Sequence, residues 1–171
     1  MQALEGLKPE PSRPRLWDRH ASRISILLLG GLLLAAGLGL LGGQPSPPRT
    51  ADFGDARLVV KTPTIIRNGE FFETDLTLTA QVPIEDAVIA VSPALWQDMT
   101  VNTMIPAPAE ESFENGQFHF SYGPLDVGDS VHVKIDGQIN PPLFAGTRGQ
   151  ISVFDRSRRI GTMPVRIKVL P

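Results

Sequence analysis

Two patterns of apolar and polar residues divide the chain. Ile24 to Leu41 carries no charge, and its eighteen residues, rising about 1.5 Å each in a helix, reach roughly 27 Å, close to the hydrocarbon thickness of a bilayer. From Arg57 onward the period becomes two. Along FFETDLTLTAQV, Phe72, Leu76, Leu78, Ala80 and Val82 fall on one face and Glu73, Asp75, Thr77, Thr79 and Gln81 on the other, with Thr74 inside and Phe71 outside as interruptions. That alternation predicts a half-buried antiparallel strand. SVHVKIDGQI repeats it, with Val131, Val133, Ile135 and Ile139 inward and His132, Lys134, Asp136 and Gln138 outward. MPVRIKVL does so through Val165, Ile167 and Val169. Runs at 58–61, 87–91, 99–105, 117–122 and 149–154 raise the expected strands to about eight. Asn68-Gly69, Asn115-Gly116, Gly128-Asp129 and Pro141-Pro142 supply the turns between them.

Past residue 56 no helical period of useful length occurs. The pattern therefore predicts an all-β fold, an immunoglobulin-like antiparallel β-sandwich of about 7–8 strands, preceded by one transmembrane helix. Lys8, Arg13, Arg15, Arg19 and Arg23 stand before the apolar run and outnumber Glu5, Glu10 and Asp18, while just Arg49 follows closely on the other side. By the positive-inside bias the N-terminus stays in the cytoplasm. A cleaved signal peptide would have an apolar region of about 7 to 15 residues ending in small residues. Here the run is longer and ends in Leu-Leu-Gly-Gly-Gln-Pro, so a retained anchor is expected.

The expected organisation is a cytoplasmic tail over 1–23, a membrane helix over 24–43, a Pro-rich linker over 44–56 and an extracytoplasmic β-sandwich over 57–171. The address is a bacterial cytoplasmic membrane with the C-terminal domain in the periplasm. Gly31, Ala35, Gly39 and Gly43 recur every fourth residue. They form a candidate stripe for helix packing and self-association.

Charge and cysteine usage narrow the function classes. From Glu70 to Asp136 there are twelve acidic residues against Lys134 alone, whereas Arg148, Arg156, Arg158, Arg159, Arg166 and Lys168 then face only Asp155. These groups either pair within the fold or leave a basic edge for lipid headgroups or an acidic partner. An exported acidic domain is no nucleic-acid binder. Without cysteine, the domain relies on apolar burial and has neither disulfides nor thiol chemistry.

Candidate chemistry is sparse. A hairpin joining the strands at 117–122 and 130–139 would set His119 opposite His132 and begin a metal site. The Leu125-x-x-Gly128 turn resembles those that carry a chain from one sheet to the other, which leaves two separate, solvated histidines. Glu110, Glu111 and Glu114 lack the spacing and tight Gly turn of a calcium loop. No G-x-S-x-G, H-E-x-x-H or phosphate loop occurs, so neither an enzyme nor a cofactor is expected. The distinctive segment is 94–111, where Trp96, Met99, Met104 and Ile105, followed by Glu110 and Glu111, make a candidate partner-binding surface. Trp96 and Met104 have an alternative role as plugs at one end of the core.

Asn68-Gly69-Glu70-Phe71-Phe72, Asp86-Ala87-Val88-Ile89-Ala90-Val91 and Tyr122-Gly123-Pro124-Leu125-Asp126-Val127-Gly128-Asp129-Ser130-Val131 together resemble the DUF11 and CARDB type of prokaryotic envelope sandwich, over roughly residues 58 to 140. The resemblance implies an immunoglobulin-like, extracytoplasmic and mostly non-catalytic module, and carries over no functional residues. Such modules usually stand in tandem, whereas here one copy follows a short tether. The expected role is an interaction or assembly module that meets another envelope or membrane protein. The alternative is a sandwich binding envelope glycan or a small ligand through Trp96, Tyr122 and the acidic loop.

Overall fold

The period-two segments pair as their alternation requires. The structure, a computed structural model, describes residues 16–41, 46–141 and 146–171, with side chains from Ser22 onward. It falls into two units, residues 1–40 and 41–171.

In the first unit, α1 runs Leu16–Gly37. Gly39 takes φ 74°, while the Leu40 N–H donates to the Ala35 carbonyl at 3.0 Å and the Gly39 N–H to that of Ala36 at 2.9 Å. This closure needs a residue in the left-handed region, which glycine adopts without a Cβ clash. Gly39 thus caps the helix; Gly31 and Ala35 stand on α1, and Gly43 lies outside the described residues. Among the described residues no helix is long and apolar enough to cross a membrane.

The second unit is a β-sandwich. One sheet joins β1 (Arg49–Asp52), β2 (Ala56–Lys61), β4 (Phe71–Ala80), β9 (Ser130–Ile139) and β6 (Met99–Ile105), in the order β1-β2-β4-β9-β6. The other joins β3 (Ile65–Arg67), β11 (Arg158–Leu170), β10 (Thr147–Asp155), β5 (Ala87–Val91), β8 (Gln117–Ser121) and β7 (Glu110–Glu114), in the order β3-β11-β10-β5-β8-β7. Lettered in chain order, β2-β4-β9-β6 occupy the A-B-E-D positions of an immunoglobulin sheet and β5-β10-β11 the C-F-G positions. The β7–β8 hairpin is an insertion between the D and E positions, and it extends the second sheet beyond C.

Register sets the core. Leu78 lies opposite Leu58 of β2 and Val131 of β9, and Leu76 opposite Val60 and Val133. These side chains meet Ile89, Val91, Ile151, Val153 and Val165 of the other sheet in one apolar cluster. On the outer side of the first sheet Lys134 pairs with Glu73, and Thr77 shares a 2.9 Å hydrogen bond with His132 Nδ1. Exposed pairs of this kind are screened by solvent and add little to stability.

The acidic middle and basic end do meet in part. Arg158 bonds Asp55 at 2.7 Å and Asp155 at 3.4 Å, and Arg156 pairs with Glu85 at 2.7 Å.

Three strands carry no alternation in the sequence. β1 lies at a sheet edge inside the stretch read as linker, and Ser46 already accepts a hydrogen bond from the Thr64 N–H at 2.9 Å. β3 is a three-residue strand parallel to β11. β7 is exposed along its whole length.

A short 3-10 turn at Pro93–Leu95 leads out of β5 and is locked onto β10. The Ser92 hydroxyl accepts from the Gln150 N–H at 2.9 Å, and the Thr147 hydroxyl donates to the Leu95 carbonyl at 2.9 Å. A Cβ at Gly149 would stand 2.7 Å from the Leu95 backbone nitrogen. Gly149→Ala is therefore expected to cost about 1–3 kcal/mol by overpacking, measured as a lower thermal midpoint. The turn is the element that delivers Trp96.

Candidate functional site

The segment 94–111 does not form one loop. After the 3-10 turn it crosses into the first sheet as β6, then returns to the second as β7, and this separates the candidate residues. Met99 packs with Ile66, Phe72, Ile139, Ile167 and Val169 in a second apolar cluster. Trp96 and Met104 are half-buried against the main core. The Tyr122 hydroxyl donates to Met104 Sδ at 3.0 Å. Burial, with a smaller contribution from the nearby Glu111 charge, pushes that phenol up to about 12. Ile105 is 59% exposed, and Glu110 and Glu111 are exposed on β7.

What does converge is an aromatic strip. β7 pairs with β8 so that Phe113 faces Phe118 and Glu111 faces Phe120, all on the core side of the hairpin. The Phe113 and Phe118 ring centroids are 5.1 Å apart, and Trp96 lies 5.9 Å from Phe118 and 5.7 Å from Phe120. Phe113 remains 59% exposed and Phe118 37%. Among the described residues the free side of β7 has no strand partner, so this strip borders an open row of backbone donors and acceptors. Phe113 escaped the sequence reading because EESFE holds a single apolar residue.

The opposite face of the hairpin carries Glu110, Ser112 and Glu114 beside Ser121, His119 and Gln117. His119 occupies an outward position, as its register demands, but it is not solvated. It is 8% exposed, and its ring centroid sits 5.0 Å from that of Phe154. The cause is that Val88, Ala90 and Phe154 form a small apolar cluster on this outer face. His132 stands on β9 in the other sheet, so the two imidazoles cannot share an ion. Among the described residues no three His, Asp or Glu side chains are placed to hold a metal.

A recess of about 220 Å³ opens here, lined by Asp86, Val88, Glu110, Glu114, His119 and Phe154 among others. Asp86 is fixed by the Ser121 hydroxyl at 2.6 Å and the Gly123 N–H at 3.1 Å. Asp155 in turn accepts from the N–H groups of Glu85 and Asp86 at 2.9 and 3.2 Å. Burial works against that carboxylate, yet these amides and Arg158 outweigh it and hold the group below its ordinary value. Neither Trp96 nor Tyr122 lines the recess.

The fold and edge define a β-sandwich domain with an inserted, acidic edge hairpin. No family model matches the chain, and no curated protein matches it. Among solved structures it is similar to the chitin-binding domain of a Pyrococcus furiosus chitinase, at 18% identity and TM-score 0.40, covering 69% of this chain and 99% of that one. A non-cellulosomal cohesin from Archaeoglobus fulgidus aligns at 10% identity and TM-score 0.41, over 67% of this chain and 91% of the other. The bacterial hydrophobin BslA aligns at 14% identity and TM-score 0.41, over 66% and 98%. At these levels the likenesses carry no argument about function.

Proposed function

We propose that the chain is a non-catalytic interaction module of the bacterial cell envelope, of the DUF11 and CARDB type, anchored in the membrane and docking a partner protein through the β7 edge. The observation that carries this reading is the exposed aromatic strip of Phe113 and Phe118, with Ile105 exposed on β6, beside an unpaired strand edge. The occupant it fits is an extended strand of another protein, since main-chain hydrogen bonds supply affinity and alternate side chains supply specificity. A second copy pairing through the same edge would set Glu110, Glu111 and Glu114 against like charges, which is unfavourable. The partner strand is therefore basic. A glycan platform on Trp96 and Tyr122 is not favoured, because both rings pack against the core.

Photo-crosslinkers placed at Ile105 and Phe113 are expected to trap the same protein, and one at the exposed Arg166 of β11 is not. Equal capture from all three positions would end the edge-docking reading.

Anchoring is supported by the uncharged run and by side chains exposed all round α1, among them Leu27, Leu29, Leu33 and Leu34. The part of α1 from Ile24 on is uncharged, and a helical segment apolar on every face belongs in an apolar surrounding. An alkaline phosphatase fused after Pro171 is expected to be active, with the protein in the membrane fraction. An inactive fusion would reverse the orientation.

A further inference from the structure

We infer that a basic recess at the outer face of the second sheet binds the phosphate of an anionic phospholipid headgroup. The recess, of about 450 Å³, is lined by Arg49 of β1, Arg148 of β10 and Arg166 of β11, and no carboxylate is among its described lining residues. Arg148 and Arg166 lie directly opposite each other across the β10–β11 pair. Like charges in that cross-strand position repel. Elsewhere in the domain Arg57, Lys61, Lys134, Arg156 and Arg158 each meet a carboxylate, whereas among the described residues none of the three arginines at the recess is in an ion pair. An anion held between them turns that repulsion into attraction.

Guanidinium groups hold phosphate oxygens through pairs of parallel N–H···O bonds. Ser92 and Gln150 add a hydroxyl and an amide to the lining, and Pro164 an apolar wall. That mixture suits a phosphodiester with its glycerol better than a bare inorganic ion, and an amine is repelled. What selects a lipid is where the tether joins the domain. The Ser46 hydroxyl accepts from the Thr64 N–H at 2.9 Å, and the Thr64 carbonyl accepts from the Lys168 N–H at 2.9 Å. The chain that follows the uncharged run is therefore fastened beside β11, two residues from Arg166. Arg49 is the eighth residue after Leu41, a span of less than about 30 Å even at full extension. Lys168, exposed like Arg166, continues the basic face. Basic groups near an anionic bilayer surface are drawn to it, each adding to the binding. The choice of a lipid rests on the anchoring proposed above; the anion site itself does not.

The test is a titration of the full chain in neutral detergent micelles with dihexanoyl phosphatidylglycerol, dihexanoyl phosphatidylcholine and inorganic phosphate. The side-chain Nε–H signals of Arg49, Arg148 and Arg166 are followed by NMR at mildly acidic pH, with Arg49→Gln, Arg148→Gln and Arg166→Gln for assignment. Phosphatidylglycerol is expected to move these signals saturably, phosphatidylcholine to leave them in place, and inorganic phosphate to bind more weakly than the anionic lipid. Arg148→Gln with Arg166→Gln, both at exposed positions, is expected to weaken phosphatidylglycerol binding, read at Arg49, about tenfold or more without lowering the thermal midpoint. Signals unmoved by phosphatidylglycerol, an equal response to phosphatidylcholine, inorganic phosphate bound as tightly as the lipid, or undiminished affinity in the double variant would each overturn the inference. So would the trapping of an acidic protein, rather than lipid, by a photo-crosslinker at the exposed Pro164. The titration needs no membrane insertion, so a failed anchor would show in the alkaline phosphatase and fractionation measurements and not in these signals.

Discussion

Leu78→Ala is expected to lower the unfolding free energy by about 2 to 5 kcal/mol, a loss that approaches the whole stability of a domain held by about 5–15 kcal/mol. Leu78 is fully buried between Leu58 and Val131, and β-strand neighbours held by hydrogen bonds on both sides cannot close around the missing methyl groups. Thr77, its neighbour in β4, faces outward to His132. Thr77→Ala removes one exposed hydrogen bond and is expected to cost about 0.5 kcal/mol or less. Urea unfolding of the two variants measures the contrast. Equal, small losses would mean that the inward face of β4 is misassigned, and with it the register of the first sheet.

That contrast was legible in the sequence because β4, β9 and β11 each bury one face, and alternation reports exactly that arrangement of one wet and one dry side only where the outer face stays polar. β5 shows the limit. Its run Ala87–Val91 is buried throughout, since Ile89 and Val91 enter the core while Val88 and Ala90 join Phe154 on the outer face. An unbroken apolar run signals burial on both sides, and that signal in AVIAV is what could have revealed a covered outer face and hence the buried His119. β1 and β3 were illegible for a different reason. Each is short and lies at a sheet edge, where pairing rests on backbone hydrogen bonds rather than on an apolar row. The Glu110, Glu111 and Glu114 cluster looked like a loop for the same reason, and only pairing with β8 turns it into a strand that displays Phe113.

Trp96 and Phe113 are expected to separate stability from recognition. The indole of Trp96 packs on the core within 6 Å of two rings, Phe118 and Phe120 at 5.9 and 5.7 Å. Trp96→Ala should therefore cost about 2 to 4 kcal/mol, somewhat under the value of about 3 to 5 for a fully buried ring because the indole is half-exposed. Phe113 is 59% exposed and touches chiefly Phe118, so Phe113→Ala should cost no more than about 1 kcal/mol, the worth of one aromatic pair. Its effect on binding runs the other way: an aromatic anchor at the centre of an interface contributes about 2 kcal/mol or more, so capture of the partner by the Phe113→Ala chain should weaken about 30-fold. Thermal unfolding of the full chain and quantitative capture, run on both variants, give four numbers. A Phe113→Ala chain that captures its partner as well as the parent would remove the aromatic strip from the docking surface, and a Trp96→Ala chain as stable as the parent would return the indole to the candidates for recognition.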